Sequence, residues 1–184
     1  GSGFLAKPEE LDRFFEEVFS EVTVPVSVKT RMGIADAEEF HQILEIYNRY
    51  PIACVTIHAR VQKEKYKGKL HLDVFEQALA NSKNPVCYNG DLRTVGEIRA
   101  FEDRFPQADA VMIGRGAVAD PALLRKMRGG KAATREELQA FMQDLYHSYQ
   151  EFYGQVGTAA QRMREVWFYL IHMFEDADKL NKKL

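Results

Sequence analysis

Four short runs rich in β-branched residues punctuate the first part of the chain: 24–28, 52–57, 85–88 and 110–113. Between them, apolar positions recur at helical spacing. Behind Pro8, one face carries Leu11, Phe14, Phe15, Val18, Phe19 and Val22. Asp36 and Glu39 have the spacing of a capping box and precede Phe40, Ile43, Leu44 and Tyr47. A short helix is predicted over 72–80. Another opens at Thr94 and Glu97 and carries Val95, Ile98, Phe101 and Phe105; a fifth runs from Asp120-Pro121 to Gly129-Gly130. Strand and helix in strict alternation predict a parallel sheet built from βαβ units. After Gly130 no strand signal follows. Thr134 and Glu137 cap a helix that Gly154 and Gly157 break. Thr158 and Gln161 cap a second, bearing Met163, Trp167, Leu170 and Phe174 as core, and 175–184 reads as a frayed helical end. The division predicted is 1–130 for the α/β part and 131–184 for a helical segment.

Side chains alternate along a strand. Val26 and Val28 therefore oppose Ser27 and Lys29. Val55 and Ile57 oppose Cys54, Thr56 and His58, and Val86 and Tyr88 oppose Cys87 and Asn89. One sheet face is bulky and apolar, suited to lie under helices. The other is small or polar and ends at the strand tips in Lys29, His58 and Asn89. Parallel α/β folds take ligands at those tips.

Two glycine turns follow the last strands, Asn89-Gly90-Asp91 and Gly114-Arg115-Gly116. Backbone N–H groups, an arginine and a helix start suit a phosphate there. The segment 60–69 holds five basic residues and one acidic one, with Tyr66 among them. Cations beside a ring suit RNA; a solvated surface loop has the same composition.

Composition narrows the classes. The chain has 184 residues, 46% hydrophobic and 28% charged, with a net charge of -2, so it is no generic polyanion binder. The seven basic and eight acidic residues of 131–184 nearly cancel. No apolar run approaches a membrane span. The opening Gly1-Ser2-Gly3 has neither part of an export signal, and a cytoplasmic location is expected. Cys54 and Cys87 read as small buried fillers, and His41, His71, His147 and His172 lack ligand spacing, so no metal site is expected.

Taken together, several segments resemble the flavin-dependent tRNA-dihydrouridine synthases. They are Val28-Lys29-Thr30-Arg31 with Gly33, Thr56-Ile57-His58-Ala59-Arg60, and the spacing of Gln62, Tyr66 and Gly68. Asn89-Gly90-Asp91 and Met112-Ile113-Gly114-Arg115-Gly116-Ala117 with Pro121 complete the set. The opening Gly1-Ser2-Gly3-Phe4-Leu5 is similar to the stretch before the family's fourth barrel helix. The resemblance covers about 1–130. It implies a partial TIM barrel, the last four β/α units of a (β/α)8 barrel, followed by a small all-helical tRNA-binding segment. FMN would be held by Lys29 and His58 at the ring and ribityl region, and by Asn89, Gly90, Asp91, Gly114 and Arg115 along the ribityl chain and phosphate. Arg60, Lys63, Lys65, Tyr66 and Lys67 would face the uridine and tRNA. The family's flavin takes hydride from NADPH and reduces the uracil C5=C6 bond, with a cysteine as proton donor.

The family's Asn-x-Gly-Cys-Pro motif, which carries that cysteine, is absent, and neither Cys54 nor Cys87 matches it. No catalytic residue is assigned, and the chain alone is expected to be inactive. A half barrel leaves two open edges, so a homodimer or a complementary N-terminal fragment is expected as partner. Two other functions fit the residues: an RNA-binding module without flavin, and a truncated sugar-phosphate-binding barrel enzyme.

Overall fold

A computed structural model describes residues 2–174 and 177. Among them the chain forms an α/β structure with one parallel four-stranded sheet. The strands are β1 (Ser27–Arg31), β2 (Cys54–His58), β3 (Val86–Asn89) and β4 (Ala110–Met112), adjacent in chain order. The helices are α1 (Pro8–Glu21), α2 (Phe40–Tyr47), α3 (Leu72–Asn81), α4 (Val95–Arg104), α5 (Arg115–Ala119), α6 (Leu123–Met127), α7 (Arg135–Tyr153) and α8 (Val156–Leu170). The described residues form two compact units. One comprises everything up to Gly90 together with Ala100–Met112; the other comprises Asp91–Arg99 together with everything from Ile113.

The first unit holds the sheet. The apolar face lies where alternation puts it: Val55 and Ile57 are fully buried, as are Val86 and Tyr88. Aromatic side chains cover it. Phe101 stacks on Tyr88 at 4.0 Å between centroids, and Phe75 meets Tyr88 edge-on at 4.9 Å. On the same face of β1, Thr30 accepts a hydrogen bond from the Tyr47 hydroxyl of α2 at 3.0 Å.

Two boundaries here differ from the sequence pattern. The first strand begins at Ser27 rather than at Val24 and continues to Arg31. Pro25 has no N–H to give a ladder, and Val24 is 65% exposed. The helix start read at the 114–116 turn is α5, capped at Gly114, and the helix predicted from Asp120 to Gly130 is the shorter α6. The boxes at Asp36/Glu39 and Thr134/Glu137 form as predicted, the first on a 3-10 turn at Ala37–Glu39 that leads into α2.

In the second unit, Gly154 ends α7 in the left-handed conformation at φ 65°. Gly157 does not break the chain. It lies in the first turn of α8, which starts at Val156 with Gln155 as its cap position, so the predicted Thr158/Gln161 box does not form. Met142, Met163 and Leu170 bury one another between α7 and α8, with Trp167 and Phe174 packed against them. The predicted frayed helix at 175–184 lies outside the described residues, Ala177 apart.

Candidate functional site

The polar face of the sheet is layered by its register. Lys29 pairs with Thr56, and Thr56 with Cys87. One layer nearer the strand tips, Arg31 pairs with His58, and His58 with Asn89. The residue level with His58 and Asn89 is therefore Arg31, and Lys29 lies one layer below them. Alternation found the correct face, and the misplaced first strand shifted the level.

In the lower layer, desolvation against the sheet holds the Lys29 ammonium below the usual lysine range, and the Arg31 charge adds to it. Burial pushes the Cys87 thiol up, against a hydrogen bond with Thr56. A lysine held in this way gives up its proton more readily than a solvated one.

In the upper layer, His58 is 4% exposed, and its ring lies 5.9 Å from that of Tyr66. Arg31 Nη1 donates to the carbonyls of Val61 (3.0 Å) and Lys65 (2.8 Å). Asn89 Nδ2 donates to the Met112 carbonyl at 2.8 Å and ties β3 to the end of β4.

The basic segment is a tightly bound turn. Arg60, which the resemblance turns toward the uridine and tRNA, is 4% exposed, and its Nε donates to the Gly68 carbonyl at 2.6 Å. It braces the loop from beneath. Glu64 accepts from the Val61 N–H at 2.9 Å and lies 3.0 Å from His71 Nε2. Its burial acts to raise the carboxyl pKa, but the Val61 N–H and His71 hold it below the usual range. The loop also leans on the β1–α2 connection, where the N–H groups of Gln62 and Lys63 donate to the carbonyls of Gly33 and Ile34. Gly33 sits at φ 144°, and a Cβ there would come within 2.5 Å of the Asp36 carbonyl, so only glycine fits. Lys63, Lys65, Lys67 and Tyr66 form the exposed outer side, Tyr66 at 60%.

Gly90 is buried, and an added Cβ would lie 2.6 Å from the Tyr88 hydroxyl. Its small size serves packing. In the second unit, Arg115 pairs with Asp91, each about a quarter exposed on its side chain. The two glycines around Arg115 differ sharply. A Cβ on Gly116 would come 2.3 Å from the Leu92 carbonyl, whereas one on Gly114 would meet nothing within 4 Å. The space beside Gly114 is open, and the Arg115 guanidinium is partly exposed.

Arg31, Glu64 and His71 are site-building residues that pattern reading gave no role. Correct placement of β1 would have put Arg31 beside His58 by period-two alternation; the Glu64–His71 contact has no local signal. Among the described residues no group of three or more His, Cys, Asp or Glu could hold a metal ion, and no helix is long and apolar enough to cross a membrane.

The chain is similar to tRNA-dihydrouridine synthase B of Proteus vulgaris, at 31% identity over 96% of this chain and 57% of that protein. It matches tRNA-dihydrouridine synthase B of Pasteurella multocida at 28% over 91% and 53%, respectively. The tRNA-dihydrouridine(16) synthase of Cupriavidus necator is 34% identical over 70% of this chain and 40% of its own length. The chain thus spans about half the length of the curated relatives it matches. The family model for dihydrouridine synthase (Dus) matches residues 1–184. On that match, and on the motifs now placed at the strand tips, the chain belongs to the dihydrouridine synthase family.

Proposed function

We propose that this chain is the FMN-phosphate and RNA-facing half of a flavin-dependent tRNA-dihydrouridine synthase. Its sheet would be the last four β/α units of a (β/α)8 barrel, and 131–184 a short tRNA-contacting helical domain. The observation that carries this reading is the register that sets Lys29, Arg31, His58 and Asn89 on one face at the C-terminal ends of three parallel strands.

In this reading Lys29 and His58 orient the flavin ring. Asn89, Gly90 and Asp91 border the ribityl chain, and Arg115 with the open backbone at Gly114 takes the phosphate. A flavin held there would supply hydride chemistry toward the uracil C5=C6 bond, with NADPH as the reductant. Lys29, whose ammonium burial holds below the usual lysine range, would donate a hydrogen bond to the ring edge. Lys63, Lys65, Tyr66 and Lys67 contact the tRNA, with Arg60 bracing them. No residue here is assigned to protonate C5, because the family's cysteine motif is absent and Cys87 is buried within the sheet. The chain alone binds and does not turn over, and its partner is a second copy or a complementary N-terminal fragment.

The test is a titration of the chain with FMN, followed by flavin fluorescence, with riboflavin as the phosphate-free control. The expected result is FMN binding at least tenfold tighter than riboflavin. Binding of neither removes the cofactor role from this chain.

A further inference from the structure

The exposed lysines of the basic loop repel one another, and a loop free to move would scatter them. Besides Arg60 and Glu64, one strand residue opposes this. Arg31 ends β1 and donates from a single nitrogen to the carbonyls of Val61 and Lys65, which lie on either side of the turn. Its guanidinium carbon also lies 5.4 Å from the Tyr66 ring centroid. Lys65, whose carbonyl accepts one of these two bonds, has φ 54°, a left-handed conformation unusual for a residue with a side chain. A backbone held in that conformation among three exposed lysines needs a fixed partner, and the strand-borne Arg31 is one.

We infer that Arg31 is a positioning residue for RNA: by gripping the Val61 and Lys65 carbonyls beneath Tyr66, it preforms the Lys63, Lys65 and Lys67 rim as a contact surface for a phosphate backbone with an unstacked base. The inference rests on the RNA-contact reading proposed above. Preforming the rim spares RNA the ordering of a mobile loop on binding. Arg31 touches the loop rather than the RNA, so its effect passes through Lys63 to Lys67.

The test uses Arg31→Lys, which keeps the charge but loses the planar fork. Tyr66→Leu serves as a second variant that alters only an exposed ring. Hydrogen exchange is read at the Lys65 and Lys67 amides, which donate to the carbonyls of Gln62 and Glu64. In R31K they should exchange about tenfold faster or more, while β2 and β3 amides keep their rates. Y66L should loosen the same two amides by a smaller factor. Affinity for a tRNA transcript should fall roughly three- to tenfold in R31K, and R31K should add little to a Lys63→Ala/Lys67→Ala background. Unchanged loop exchange in both R31K and Y66L, or full additivity with the lysine variants, overturns the role of Arg31 alone. If the wild-type chain does not bind the transcript, the RNA-contact reading falls and this use of the loop falls with it, whatever the exchange data show.

Discussion

Replacing Gly116 with alanine should destabilise the second unit, whereas the same change at Gly114 should leave its stability nearly intact. The structure sets the size of the difference. A Cβ on Gly116 would lie 2.3 Å from the Leu92 carbonyl, 2.9 Å from the Arg93 Cα and 3.1 Å from a methyl of Ile113. Two of these contacts are backbone, which cannot rotate away. Overpacking of this kind costs about 3 kcal/mol, at the upper end of the usual range, because α5 must shift as a body. Alanine returns up to ~1 kcal/mol through its better helix propensity. The net loss is about 2 kcal/mol, and a chain of this size then melts roughly 4–8 °C lower. At Gly114 nothing lies within 4 Å, so the change should cost less than about 1 kcal/mol. The new methyl would instead fill the space proposed for the FMN phosphate. The assay is a thermal melt of each variant paired with the FMN titration. G116A melting with the wild-type protein would refute the packing argument, and G114A binding FMN at wild-type strength would refute the phosphate cradle.

Arg115→Ala should weaken FMN about 10- to 100-fold and riboflavin less than about twofold, because only the phosphate loses a charge-assisted bond; equal loss for both ligands would place Arg115 elsewhere. The Glu137 carboxyl is held down to about 2 by the Arg125 fork and the Thr134 N–H. A depressed carboxyl stabilises the folded chain above its unfolded pKa and loses that contribution as pH falls toward 2. Protection at the first turn of α7, taken relative to the intrinsic exchange rate at each pH, should therefore fall as pH drops from about 4.5 to 2 in the wild type and vary less in Glu137→Gln; parallel profiles would sink the assignment. Iodoacetamide at pH 8 should modify half-buried Cys54 before buried Cys87, whose thiol burial pushes up, and peptide mass mapping showing the reverse order would contradict it.

Alternation was the most legible feature of the chain. It placed Val55, Ile57, Val86 and Tyr88 under the helices and Thr56, His58, Cys87 and Asn89 on the opposite face, and the register agrees. Capping boxes were equally legible, since Asp36/Glu39 and Thr134/Glu137 rely on contacts within one turn. The Thr158/Gln161 spacing satisfied the same rule and failed, because packing of Met163 and Leu170 against α7 extends α8 back to Val156. At β1, the valines around Pro25 outweighed the missing N–H in the pattern, and the level of Arg31 was lost with them. The packing constraint on Gly90 was not legible, because the Tyr88 hydroxyl that imposes it acts through tertiary closeness rather than through a local pattern. The Glu64–His71 contact depends on how the loop closes, and no local period encodes that.

Each strand pairs with the strand that follows it in the chain. Assembly can thus proceed in the order of synthesis. β2 can dock on β1 while β3 is still being made, and no segment must wait for a distant one before its ladder closes. Each closure spans one helix and its connections, so its entropic cost grows only slowly with loop length. Such a chain should refold without the delay that long-range strand pairing imposes.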